Sequence, residues 1–254
     1  MKAIRIISGL TLKEALRNRI LYLLFFFAAV LVVSSWIISE LTVGDALKII
    51  KDLGLGSIHF LGVLITIFIG IGLVFRELEK RTVFIILSKP VHRFEFLLGK
   101  FAGLAVTLLL VLTGLVSVFY VVLFLKGDPN PKFLLAFYLM YLEWLMIAGI
   151  AVLFSSFSTP LLSVMLALAS FFAGHLSASL LLLQKRIDSE PINALLSALY
   201  YMLPNLEFFN IRSQMVHDFP IAGRYYAEVT LYWVLYLGTL LFFSIRIFQK
   251  KDLA

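Results

Sequence analysis

Six stretches of this chain are apolar for about 20 residues each, the length a helix needs to cross a hydrocarbon core. They run 20–39, 57–75, 101–125, 133–157, 160–183 and 227–248. The 254 residues are 61% hydrophobic and 15% charged, against roughly a quarter charged in soluble domains. So much apolar surface cannot be hidden within a water-soluble fold of this length, so the expected solvent is a bilayer. The expectation is an all-α polytopic membrane protein, a single transmembrane domain over residues 1–254. No window reads as a soluble domain, and no internal repeat or low-complexity tract interrupts the pattern.

Charge placement orients the spans. Six crossings put both termini on one side. That side collects fourteen of the 22 Lys and Arg residues, in the N-terminal stretch, the 76–100 connection and the tail. The other eight are Lys48, Lys51, Lys126, Lys132, Lys185, Arg186, Arg212 and Arg224. The richer side is expected to be cytoplasmic, which predicts a multi-pass protein of the cell (inner) membrane with both termini inside. A formal net charge of +7 is thereby explained by orientation, and no nucleic-acid partner is expected. With no cysteine, disulfides, iron–sulfur clusters and thiolate metal sites are excluded.

Two flanking segments have their own character. Residues 1–19 combine Ile6, Ile7, Leu10 and Leu12 with Lys2, Arg5, Lys13, Arg17 and Arg19, as expected of a helix lying in the membrane interface. The first span is not expected to be a cleaved signal, since no A-x-A-like site follows it. Residues 184–226 form the long connection before the last span. Within them Pro191 and Pro204 bracket twelve largely apolar residues, which as a helix reach only about 18 Å. A piece that short cannot span, and a re-entrant or interfacial helix on the outer face is expected; the alternative is a short helix packed on an external cap.

Motifs for chemistry are scarce. Gly99-Lys100 is the only Gly-Lys pair, with Phe94 where a phosphate-cradling loop needs its first Gly and Phe101 where it needs Ser or Thr. The chain is therefore not expected to bind ATP or to be an enzyme, and no cofactor is expected. Gly99 and Gly103 could let two helices approach closely. His59, His92, His175 and His217 have no second ligand at metal-binding spacing within one helix, so no metal is assigned. Glu143 and His175 fall inside predicted spans, where ionisable groups are costly. They are candidates for a polar translocation path, or else a packed pair, or a Glu near the outer interface. Ser155, Ser156, Ser170 and Ser177 are expected to bond to backbone.

The densest charge lies in "RELEKRTVFIILSKPVHRFEFLLGK", residues 76–100. Glu77 and Arg81 are four apart and can pair on one helix face, with Val83, Ile86 and Leu87 on its apolar side. Pro90 interrupts that helix, and a second short helix is expected with Phe94, Leu97 and Phe101 on one face. Anchoring topology needs only a few Lys or Arg. Three Glu, a helix break and about 25 residues suit a docking element better.

The chain resembles the permease subunits of ABC-2 type transporters, and most of all the branch associated with maturation of multicopper enzymes such as nitrous-oxide reductase. The stretches that carry the likeness are "TLKEALRNRILYLL", "ELEKRTVFIILSKPVHRFEFLLGKFAG", "YMLPNLEFFNIR" and "IRIFQKKDLA". The resemblance implies a six-span subunit with cytoplasmic coupling helices between spans two and three, gripped by a separate cytoplasmic ABC ATPase. It also implies a second permease subunit, expected as a homodimer. Membrane lipids and a periplasmic or extracellular accessory protein complete the expected partners. By matching position, the coupling residues are Glu77, Glu79, Arg81, Thr82, Lys89, Pro90, Arg93 and Glu95, with Gly99 and Lys100 at the re-entry into span three. The basic Lys80-Arg81 pair departs from the family's pattern before Thr82. A membrane-embedded enzyme, or a membrane anchor for a soluble complex, are the alternatives to a transporter half.

Overall fold

A computed structural model describes residues 2–40, 45–79, 92–184, 187 and 189–250. Those residues are helical apart from short turns, and no strand occurs among them. The described residues form nine α-helices, in order α1 Lys2–Leu16, α2 Arg19–Glu40, α3 Ala46–Glu79, α4 Arg93–Leu125, α5 Phe133–Phe157, α6 Pro160–Gln184, α7 Glu190–Met202, α8 Arg212–Val216 and α9 Gly223–Lys250. A 3₁₀ turn, Leu206–Phe209, lies between α7 and α8. Six of the helices (α2 to α6 and α9) are long and apolar enough to cross a membrane.

Local sequence explains the breaks. The Asn18 side chain accepts the Ile20 N–H at 3.0 Å and starts α2 as α1 ends. Pro160 opens α6 at a position where its missing N–H costs nothing. Gly127, at φ +77°, turns the chain after α4 in a conformation that glycine adopts without strain.

Two expectations change. The second crossing helix begins at Ala46 rather than near residue 57. Its early charges are absorbed by neighbours: Lys51 is buried and meets Asp128 at 2.6 Å. The short helix expected over Phe94, Leu97 and Phe101 is not separate, for α4 runs unbroken from Arg93. Nothing between Arg93 and Phe101 breaks a helix, and Glu95 Oε2 accepts the His92 N–H at 3.2 Å to found it there.

Contacts at the two ends of the bundle fix the chain's alternation. At the terminal end, Arg93 Nη1 donates to the Gln249 carbonyl at 3.0 Å, and Lys100 meets Glu14 at 3.2 Å. At the distal end, Lys126 pairs with Glu40, Lys51 pairs with Asp128, and Arg212 Nε meets Asp52 at 3.1 Å. Helices α3 and α5 are central: 78% of the α5 crossing window is buried, against 17% for α9. Exposed Phe26, Phe27 and Ile37 on α2 and Leu231, Leu235, Phe242 and Phe243 on α9 form the outer apolar surface.

Two close approaches hold the frame. Helix α1 packs its Ile7, Thr11 and Ala15 face inward, seated over glycines of α4. A Cβ at Gly99 would lie 2.8 Å from Ile7 Cβ, and one at Gly103 would lie 2.6 Å from the Ser8 carbonyl oxygen. The Gly99/Gly103 pattern is thus the seat of α1. In the centre, the fully buried Trp144 indole of α5 lies where a side chain on Gly62 of α3 would be.

Candidate functional site

Three helices each bring one ionisable side chain to a common point inside the bundle. Glu143 lies on α5 immediately before Trp144, and its side chain is 1% exposed. His59 lies on α3, three residues before Gly62, so the Trp144–Gly62 contact sets these two groups against each other. Nε2 of His59 is 2.8 Å from Glu143 Oε2. His175 on α6 brings its Nε2 to 2.9 Å from Glu143 Oε1.

A fourth group comes from the connection before the last crossing helix. Pro204 and Leu206 lie tight on α6, where a Cβ at Gly174 would meet the Pro204 carbonyl at 2.8 Å and Leu206 Cγ at 2.7 Å. Asn205 accepts the Glu207 N–H at 3.2 Å and donates its own N–H to the Tyr232 hydroxyl at 2.9 Å. This fixes the 3₁₀ turn, and Glu207 Oε2 then reaches His175 Nδ1 at 3.0 Å. Its other oxygen accepts from Asn210 Nδ2 at 3.0 Å.

His59, Glu143 and His175 line a cavity of about 240 Å³, and Phe171, Asn210 and Arg212 form other parts of its wall. The ring of Phe171 packs 4.8 Å from the His175 ring. A cavity with an apolar wall and a few convergent polar groups is the usual form of a ligand site. Its charge logic is constrained. Glu143 faces two imidazoles, and a carboxylate this deeply buried is held by their N–H donors or by positive charge on them.

The sequence placed Glu143 and His175 as candidates, and the structure brings them into contact as a pair. His59 and Glu207 were missed. Ligand spacing was sought within single helices, whereas this site draws on three helices and a turn. A signal was available in His59: an ionisable residue within the predicted 57–75 span, near its start.

The coupling candidates fall elsewhere. Arg81, Thr82, Lys89 and Pro90 lie outside the described residues; Glu77 and Glu79 end α3. Arg93 caps the last carbonyls of α9, Glu95 caps α4, Gly99 touches α1, and Lys100 is buried against Glu14. Ser155 and Ser156 both donate to the Val152 carbonyl and Ser177 to that of Gly174, the backbone role expected of them.

No curated protein matches the chain by sequence. The family described as ABC-2 family transporter protein matches over residues 11–253. With that match over nearly its whole length and six helices able to cross a membrane, the chain belongs to the ABC-2 transporter family as a multi-pass membrane protein.

Proposed function

We propose that this chain is the permease subunit of an ATP-binding-cassette transporter, working as a pair of permease chains with two cytoplasmic ABC ATPase chains. The family match carries the reading. The six crossing helices and the polar cavity among them suit a translocation path that includes Glu143 and His175. Both termini lie in the cytoplasm in this proposal, and residues 76–100 are the part the ATPase grips. Placement in the multicopper-enzyme maturation branch rests on sequence likeness, above all that of the 77–103 stretch.

The described part of the coupling region divides into two roles in this reading. Gly99 and Lys100 hold α1 in place, and Arg93 ties α4 to the end of α9. The gripping surface is then left to Glu77, Glu79, Arg81, Thr82, Lys89 and Pro90. Helix α1 lies at the membrane interface, with exposed Ile6 and Leu10 toward lipid. The 184–226 connection is the outer segment, with α7 dipping into the membrane face.

Two experiments test the proposal. Cysteines at exposed Pro129 and Lys250 are read with a membrane-impermeant thiol reagent on intact cells. Label at Pro129→Cys alone supports cytoplasmic termini, and label at Lys250→Cys without permeabilisation overturns them. The second experiment is Glu77→Lys at matched expression. At an interface the charge reversal sets like charges together and costs several kcal/mol of binding, so the ATPase should no longer co-purify. Full retention of the ATPase and of transport removes the docking role.

A further inference from the structure

Both ring nitrogens of His175 face carboxylate oxygens, Nε2 at 2.9 Å from Glu143 and Nδ1 at 3.0 Å from Glu207. A neutral imidazole has one N–H and one lone pair, so one of those contacts would set lone pair against lone pair. One further proton, on the ring or on a facing carboxyl, or a metal ion must occupy one of these contacts. His59 brings a second imidazole to the cluster, with its Nε2 at 2.8 Å from the second Glu143 oxygen.

We infer that His59, Glu143 and His175 form a binding site for a divalent first-row transition-metal ion of the zinc class. Their donor atoms lie within 4.8 Å of one another. Zinc takes imidazole nitrogen and carboxylate oxygen at about 2.0–2.2 Å. Tetrahedral ligands at that radius stand about 3.4 Å apart. On the Glu143 oxygen that ligates, the nitrogen–oxygen separation of 2.8 or 2.9 Å therefore opens by only about half an ångström when the ion enters, and the other imidazole, now on the second oxygen, lies within 4.8 Å.

Two further features favour a metal over a proton. Glu207 stands behind His175 as the carboxylate that accepts from Nδ1, which fixes the tautomer and turns the Nε2 lone pair toward Glu143. Carboxylate–histidine–metal relays of this kind orient and strengthen the ligand. The three ligands also line the cavity of about 240 Å³, which leaves a fourth coordination position open, as in zinc sites that exchange a ligand. Two imidazoles and one carboxylate select the zinc class over calcium or magnesium, whose sites are built of oxygen.

The test uses the full chain without a histidine tag, in detergent, stripped with a chelator and then dialysed against Zn²⁺. Metal content is read by plasma mass spectrometry and geometry by the absorption of Co²⁺ in place of zinc. One zinc per chain is expected, with a tetrahedral or five-coordinate cobalt spectrum and a rise in melting temperature on adding zinc. His59→Ala and Glu143→Gln should each weaken binding at least about 100-fold and abolish the spectrum. Glu207→Gln should weaken it about 10–100-fold and keep the spectrum. His92→Ala and His217→Ala should bind as wild type does. A wild-type chain with no stoichiometric zinc, or with zinc that survives both His59→Ala and Glu143→Gln, overturns the site and leaves a cluster held by protons. No ATPase is present in these measurements, so their failure is separate from a failure of the transporter assignment.

Discussion

Gly103→Ala sets two effects of opposite sign against each other. In the interior of a helix the change gains about 0.8–1 kcal/mol of propensity. On α4 the new methyl would sit 2.5 Å from Thr11 Cβ and 2.6 Å from the Ser8 carbonyl oxygen. Ordinary contact needs about 3.5 Å or more, so α1 must lift by about 1 Å. Because Ser8 O is backbone, no rotamer change relieves it. Overpacking of this kind costs about 1–3 kcal/mol, and lifting α1 also loosens the Ile7, Thr11 and Ala15 contacts and the Lys100–Glu14 pair. The clash wins, for a net loss of about 1–2 kcal/mol and a melting temperature lowered by about 2–8 °C. The internal standard is Gly238→Ala on α9, where a methyl meets nothing within 4 Å. There the propensity gain acts alone, and the melting temperature should rise. Scanning fluorimetry in detergent gives the two shifts, and hydrogen exchange over residues 2–16 localises the first to α1. If Gly103→Ala melts at or above wild type, in step with Gly238→Ala, the close seat of α1 on α4 is wrong.

Other substitutions probe the same frame. Gly62→Ala pushes into the buried Trp144 indole and should destabilise by about 3 kcal/mol; adding Trp144→Phe, which gives up no hydrogen bond from the unpartnered Nε1, should recover at least about 1 kcal/mol in a double-mutant cycle. Glu14→Ala removes the carboxylate beside the buried Lys100 ammonium and should cost about 3 kcal/mol, clearly more than Lys100→Met, by chemical or thermal unfolding. Asp52→Ala breaks an exposed pair with Arg212 and should shift stability by less than about 1 kcal/mol; a larger loss would mean that this pair braces the cavity wall.

Hydropathy made the six crossings legible because lipid imposes a length and a polarity on each one, and it placed α5 to the residue at 133–157. It failed where charge is neutralised by partners far along the chain. Lys51 looked like a connection residue, but Asp128, folded against it, lets α3 continue through that position. The candidate site was half legible for a related reason. A buried Glu or His stands out in an apolar run, so Glu143 and His175 could be found. Glu207 sits in a polar turn where a carboxylate is unremarkable, and only the seat of Leu206 on Gly174 directs it to His175. Gly99 and Gly103 were visible as a pattern, but the helix that fills the groove could be named only from the fold.

Arg93 binds the carbonyls of Phe248 and Gln249, so the chain enters α4 and leaves α9 at one shared corner of the bundle. That corner sets a practical rule for labelling. A fusion joined beyond Lys250 stands next to the start of α4 and shields that corner from any protein approaching it. A small probe at Pro129 lies at the opposite end of α4, a helix of 33 residues and hence about 50 Å long, well away from that corner.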